Sequence, residues 1–144
     1  DAGVPTVADS GYRLVSRAQE KGIEIIPLVG PSSILMSLMA SGLNGQNFSF
    51  NGYLPKDKGL KRKRIKTLER IVQNTSQSQI FMEAPYKNQS MLEDILDVCD
   101  GSTRLCIAMN IMGENEYIKT KKVCDWKKEN IVLEKFPCLF ILGN

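Results

Sequence analysis

The stretch QIFMEAPYKNQSMLEDILDVCDGSTRLCIAM, Gln79 to Met109, decides the fold class. Its first residues, Gln79 to Glu83, are strand-like, and its last six, Arg104 to Met109, form a second apolar strand. Between them, Asn88 to Cys99 carries Met91, Leu92, Ile95 and Leu96 on one side of a 3.6-residue period, which predicts a helix with those four side chains inward. Asp100-Gly101 separates this helix from the second strand. A strand, a helix and a strand in so short a span are the repeating unit of an α/β fold.

The same alternation continues in both directions. Upstream, Lys61 to Val72 reads as a strongly basic amphipathic helix with Ile65, Leu68, Ile71 and Val72 on its apolar face. Pro55 to Leu60 is a loop and Phe48 to Leu54 a strand. Ile34 to Ser41 reads as a largely apolar helix ending at Gly42, with serines available to cap it. Asp9 to Gly22 reads as a surface helix closed by Lys21-Gly22. Ile23 to Val29 is a short β-branched run expected to be a buried strand, so that the two form the tail of an αβ unit. Downstream, Glu116 to Lys121 is extended, Asp125 to Lys128 a short helix, Ile131 to Glu134 a strand and Cys138 to Leu142 a final buried strand. There is no internal repeat.

Bulk composition narrows the function classes. With 42% hydrophobic and 24% charged residues, long disorder, coiled coil and collagen-like repeats are excluded. The longest apolar stretches, Ile34 to Ala40 and Leu139 to Leu142, fall far short of the roughly 20 residues that span a bilayer, so no membrane partner is expected. The four cysteines, Cys99, Cys106, Cys124 and Cys138, contain no C-x-x-C pair and read as reduced structural thiols, which implies a cytoplasmic location. The chain contains no histidine, which excludes Ser-His-Asp and Cys-His catalysis and any His-ligated metal within it; no metal site is expected. A general base must then be Asp, Glu, Lys, Tyr or Cys. The opening Asp1-Ala2-Gly3, with no Met and no leader, reads as a domain boundary with further chain before it.

The opening segment, Asp1-Ala2-Gly3-Val4-Pro5-Thr6-Val7-Ala8-Asp9-Ser10-Gly11-Tyr12, places two glycines, a proline and two aspartates ahead of a helix. Such a backbone can approach a ligand closely, and first-turn N–H groups favour a bound carboxylate or phosphate. A tight turn into a helix accounts for the same residues. This segment resembles the S-D-A-G-x-P-x-x-x-D-P-G motif of the small-subunit ribosomal RNA 2′-O-ribose methyltransferase I family, a branch of the tetrapyrrole methylase superfamily. The resemblance continues through Ile26-Pro27-Leu28-Val29-Gly30-Pro31-Ser32-Ser33, similar to P-L-x-G-P-x-x-A, and Ala40-Ser41-Gly42-Leu43, similar to A-S-G-L. It resumes at Phe50-Asn51-Gly52-Tyr53-Leu54-Pro55, similar to F-x-G-F-L-P, and at Ile80-Phe81-Met82-Glu83, similar to I-F-Y-E-x-x-x-R. It departs at Asp9-Ser10-Gly11, at Lys87, which stands close to the usual arginine, and at Ile107 to Glu114, which diverges from A-R-E-L-T-K.

The resemblance implies the C-terminal part of a two-domain enzyme that binds S-adenosyl-L-methionine in the cleft between its domains. Residues 1–29 would end the first α/β domain with its last αβ unit. Residues 30–144 would form the second, a mixed sheet of about five strands flanked by helices. The implied cofactor contacts are Asp1, Ala2, Gly3 and Pro5, then Ser32 and Ser33, then Met82, Glu83, Met109, Asn110, Pro137 and Cys138. Ser32 and Ser33 read equally as helix caps, and Met82 and Met109 as core. Deprotonating a ribose hydroxyl needs a base or a nearby cation, for which Glu83 comes first, then Lys87, with Asp9 behind them. Lys58, Lys61, Arg62, Lys63 and Arg64 are candidate contacts to RNA phosphates, though a solvated helix face explains them too. The superfamily also implies a homodimer. Two other readings stay open: methylation of a porphyrin or corrin, and a binding or dimerisation module without activity.

Overall fold

The computed structural model describes residues 3–144. Five strands form one sheet in the order β1 (Phe48–Tyr53), β2 (Ser78–Glu83), β5 (Cys138–Gly143), β3 (Arg104–Met109) and β4 (Tyr117–Lys122). β1 and β2 are parallel, whereas β5 runs antiparallel to both β2 and β3, and β4 antiparallel to β3. β1, β2 and β3 therefore point the same way, with β5 inserted against them. The helices are α1 (Tyr12–Glu20), α2 (Ser33–Ser41), α3 (Lys58–Thr75), α4 (Asn88–Val98) and α5 (Val123–Glu129). The expected α/β class and mixed five-stranded sheet are present.

Alternation along the strands divides the apolar side chains between two faces. Phe81, Leu105, Ile107, Phe140 and Leu142 face Ile65, Leu68 and Val72 of α3, Met91, Leu92 and Ile95 of α4, and Trp126 of α5. Phe81 and Phe140 stack with ring centres 6.0 Å apart, and the Trp126 indole N–H donates to the Leu105 carbonyl at 2.9 Å. Each fully buried side chain of this size stabilises the fold by about 1.5–3 kcal/mol. The other face, formed by Ile80, Cys106, Ala108, Leu139 and Ile141, packs against Ile34 and Leu38 of α2. Ser37 and Ser41 share that helix face, and their hydroxyls donate to the carbonyls of Ile34 (2.8 Å) and Leu38 (2.7 Å), so the buried polar groups are satisfied within the helix.

Several expected elements differ. Ile23 to Val29 forms no strand; it runs as extended chain outside the sheet, and Leu28 is 85% exposed. β-branched residues favour a strand only where a neighbouring strand pairs with them, and among the described residues no strand pairs with this segment. Of the expected αβ unit, the helix forms and the strand does not. That helix does close as expected: Gly22 is left-handed (φ 66°), its N–H donates to Gln19 and that of Ile23 to Ala18. Ile131 to Glu134 is likewise irregular, with Leu133 buried and its N–H bonded to the Gln89 side chain at 2.9 Å. α3 starts earlier than expected because Asp57 caps it, accepting from the Leu60 N–H at 2.8 Å.

A buried carboxylate ties α3 to the turn before β3. Glu69, fully buried, accepts from the Asp100 N–H and the Thr103 hydroxyl, each at 2.6 Å, and from the Lys66 ammonium at 2.6 Å. Burial pushes this carboxyl up, but the Lys66, Thr103 and Asp100 donors outweigh it and hold it below the usual carboxylate range. A group whose folded pKa is depressed contributes fully above its unfolded value of about 4.3 and loses that contribution as pH falls through the folded one. Glu69→Ala is therefore expected to lower stability by about 2–4 kcal/mol at pH 7 in urea unfolding. The gap between the two proteins should narrow below pH 4; an equal gap at pH 3 and pH 7 would contradict this account.

Candidate functional site

The C-terminal ends of β1, β2 and β3 and the start of β5 meet at one end of the sheet, where open α/β sheets bind small ligands. There, on the face that carries α2, lies a cleft of about 460 Å³. It is lined by Gly3, Pro31, Ser33 and Met36, by Met82 from the end of β2, by the Asn110–Met112 turn, and by Pro137, Cys138 and Leu139. An adjoining hollow of about 350 Å³ shares Gly3, Ser33 and Met82 and adds Pro5, Asp9 and Ser32. Both volumes fit the range of small-molecule sites, about 300–1,000 Å³.

The cleft exists because α2 covers only part of its sheet face. The helix N-terminus points toward it through Ser33, and Ser32, at the N-cap position with extended backbone (φ −128°), makes no side-chain capping bond. The expectation that a serine caps α2 is not met. Among the described residues, the first-turn N–H groups of α2 have no side-chain acceptor, the arrangement that suits a carboxylate or phosphate.

The turn after β3 is strained. Asn110 (φ 53°) and Met112 (φ 63°) both lie in the left-handed region. The Asn110 N–H donates to the Pro137 carbonyl at 2.9 Å, its carbonyl accepts from Gly113 at 2.8 Å, and the Met112 N–H is held by the Glu116 carboxylate at 2.6 Å. The Asn110 side-chain amide lies over Gly113, so a larger residue there would have to displace it. On the far wall, Thr6 (φ 71°) and Ala8 (φ 55°) are also left-handed. Asp9 organises that loop by accepting from the N–H groups of Thr6 (3.3 Å) and Gly11 (3.1 Å), which lower its pKa. Strain of this kind persists where surrounding bonds over-determine it, and it gathers at ligand sites.

The candidates named from sequence separate clearly. Gly3, Pro5, Ser32, Ser33, Met82, Asn110, Pro137 and Cys138 line the cleft or the hollow beside it. Asp1 and Ala2 lie outside the described residues. Met109 does not line it: its side chain belongs to the core on the α3–α4 face. Glu83 follows the same alternation as Phe81, which turns it away from Met82, and its carboxylate accepts from the Ala84 N–H at 2.9 Å. Among the described residues, the lining of the cleft and of the hollow does not include this first candidate for the base. Among the described residues, the lining holds one carboxylate, Asp9, and one thiol, Cys138. Burial and the nearby Cys106 push that thiol up to about 12, so neither is a strong base at neutral pH. Met36, Ile111, Met112 and Leu139 were missed because apolar residues read as core.

The basic helix is less open than its sequence suggests. Lys61, buried, pairs with buried Asp94 of α4 at 2.7 Å, and Arg62 reaches Asp97 at 3.3 Å and Asp94 at 3.7 Å. Arg64 donates to Asn51 of β1 at 3.0 Å. Lys61 is thereby removed from the expected RNA-facing set, while Lys58 and Lys63 remain exposed.

Ribosomal RNA small subunit methyltransferase I of Vibrio cholerae is 36% identical over 119 residues, covering 83% of this chain and 40% of that protein. The protein of the same name from Pseudomonas aeruginosa is 30% identical over 147 aligned positions, covering 100% of this chain and 51% of that protein. Over the length it shares with them, this chain belongs to their family. It spans about half the length of the curated relatives it matches. No protein-family model matches it. Among solved structures, the methyltransferase CobJ superposes with a TM-score of 0.62 at 17% identity, over 100% of this chain and 62% of that one. A uroporphyrin-III C-methyl transferase from Thermus thermophilus, complexed with S-adenyl homocysteine, gives 0.56 at 17%, over 99% and 63%. These two likenesses show a fold shared with those proteins.

The turn itself is open to test. Asn110→Gly should leave stability within about 1 kcal/mol, whereas Asn110→Val, β-branched at φ 53°, should cost about 1–3 kcal/mol in urea unfolding. Equal effects of the two would mean that backbone strain does not govern this position.

Proposed function

We propose that this chain is the C-terminal part of an S-adenosyl-L-methionine-dependent methyltransferase that acts on RNA, with a ribosomal RNA ribose 2′-hydroxyl as first acceptor. The observation that carries the reading is the cleft at the strand ends, where residues from separate parts of the sequence that the resemblance implies as cofactor contacts come together: Gly3, Ser33, Met82, Asn110 and Pro137. The residues present suit this cofactor. Met36, Met82, Ile111 and Leu139 offer apolar walls to a flat ring, and the uncapped α2 N-terminus offers N–H groups to a carboxylate. Asp1 and Ala2 belong to the same proposed contact set.

When bound, the cofactor supplies a methyl group already activated on a sulfonium. The protein is then left with holding two reactants in line and keeping water away, and such orientation can supply about 7–11 kcal/mol of a barrier. A lining with few strong bases accords with that division of labour. Lys87, on the turn after β2, is the proposed nearby cation for the acceptor oxygen. Residues 1–29 are proposed to finish a first domain and 30–144 to form the second, supported by the five-stranded sheet lying wholly within residues 48–143. A cytoplasmic homodimer is part of the same proposal. It is supported by four free cysteines, by the lack of any helix long and apolar enough to cross a membrane among the described residues, and by exposed Leu28 and Met39. Exposed cations at the start of α3 favour RNA over a porphyrin as acceptor.

Calorimetric titration of S-adenosylhomocysteine into the full-length protein, first domain included, should give saturable binding, and Met36→Trp, which fills the cleft, should weaken it by about tenfold or more, equivalent to 1.4 kcal/mol. Unchanged affinity in M36W would place the cofactor elsewhere, and no binding would overturn the reading.

A further inference from the structure

Two tyrosines stand in solvent at the cleft end of the sheet. Tyr53, at the end of β1, is 65% exposed, and Tyr86, in the short turn Pro85–Lys87 after β2, is 68% exposed. The register pairs Tyr53 with Met82, which lines the cleft, and Tyr86 lies in the turn that directly follows β2, so both are at the end of the sheet that holds the cleft. The β1–β2 register shifts between Phe50 and Tyr53, where Gly52 takes φ 62°, the kind of bulge that re-aims a strand-end side chain.

The turn that carries Tyr86 is fixed. The Ala84 N–H is held by Glu83 at 2.9 Å, the Lys87 N–H donates to the Ala84 carbonyl at 2.8 Å, and the buried Asn88 amide donates to the carbonyls of Glu134 (3.2 Å) and Phe136 (2.8 Å). It is thus tied to the segment that runs into Pro137 of the cleft wall. A ring presented on rigid backbone loses little freedom when a partner covers it. The surroundings are cationic: the Lys87 ammonium lies 5.6 Å from the Tyr86 ring centre, and Lys56 and Lys58 follow Tyr53. Among the described residues these three lysines enter no ion pair, in contrast to Lys61, Arg62 and Lys66 of α3.

Exposed aromatic faces beside free cations are the pattern that holds single-stranded nucleic acid, with rings stacking on bases and cations meeting phosphates. We propose that Tyr53 and Tyr86, with Lys56, Lys58 and Lys87, form a platform on the cleft rim on which an unpaired RNA base stacks. This rests on the reading of the cleft as an RNA-modifying site and places the nucleotide entry there rather than along the length of α3.

Binding of a single-stranded RNA oligonucleotide bearing 2-aminopurine, followed by anisotropy and base fluorescence across a salt series, tests this without any methyl transfer. Tyr86→Ala is expected to weaken binding about 5- to 100-fold and to abolish quenching of the probe, with the salt slope unchanged. Tyr86→Phe should restore both, and Lys56→Ala with Lys58→Ala should flatten the salt slope. Tight, salt-dependent binding that Y86A and Tyr53→Ala leave intact would overturn the platform and spare the cofactor reading. Absence of any RNA binding by the unaltered protein would overturn the platform and the RNA acceptor together, while cofactor titration would still judge the cleft.

Discussion

Side chains on a strand alternate between faces, and the two faces of this sheet receive unequal cover. Cys138, Phe140 and Leu142 of β5 turn toward three helices, while Leu139 and Ile141 turn toward one helix of nine residues. A short helix cannot close a face five strands wide. The uncovered remainder at the strand ends is the cleft, so the site is a consequence of how little of that face α2 reaches.

The same alternation sorts the residues around the site. Met82 and Leu139 fall on the open face, and Met109 and Glu83, one step out of phase with them, do not. A polar lining is supplied instead by backbone: the N-terminal end of α2, and a turn whose left-handed Asn110 and Met112 are held by Pro137 and Glu116. The chemistry available is recognition and alignment, with side-chain proton transfer in a minor part.

Much of the fold was legible because it depends on local periodicity. The spacing of Ile65, Leu68 and Val72, or of Met91, Leu92 and Ile95, is enough to define a helix, and Arg104–Met109 is apolar enough to define a strand. What stayed hidden depends on partners distant in sequence. Ile23 to Val29 has the composition of a strand and lacks a neighbour to pair with. Lys61 sits in a run of cations, and only the packing of α3 on α4 reveals Asp94 beside it. Within the cleft, motif resemblance points to Gly3, Ser33 and Met82. Met36 and Leu139 carry no signal that distinguishes a wall of the site from core.

The strand order also bears on how the chain must assemble. The strand in the middle of the sheet is the last of the five to be made, and Gln79 waits for Leu142, as Arg104 waits for Gly143. Until then β1–β2 and β3–β4 are two separate ribbons, each with an apolar inner edge unpaired. During synthesis at about 5–20 residues per second those edges are open to wrong partners for seconds. The closing strand therefore acts as a late commitment step: the halves remain independent folding problems until its arrival makes them one.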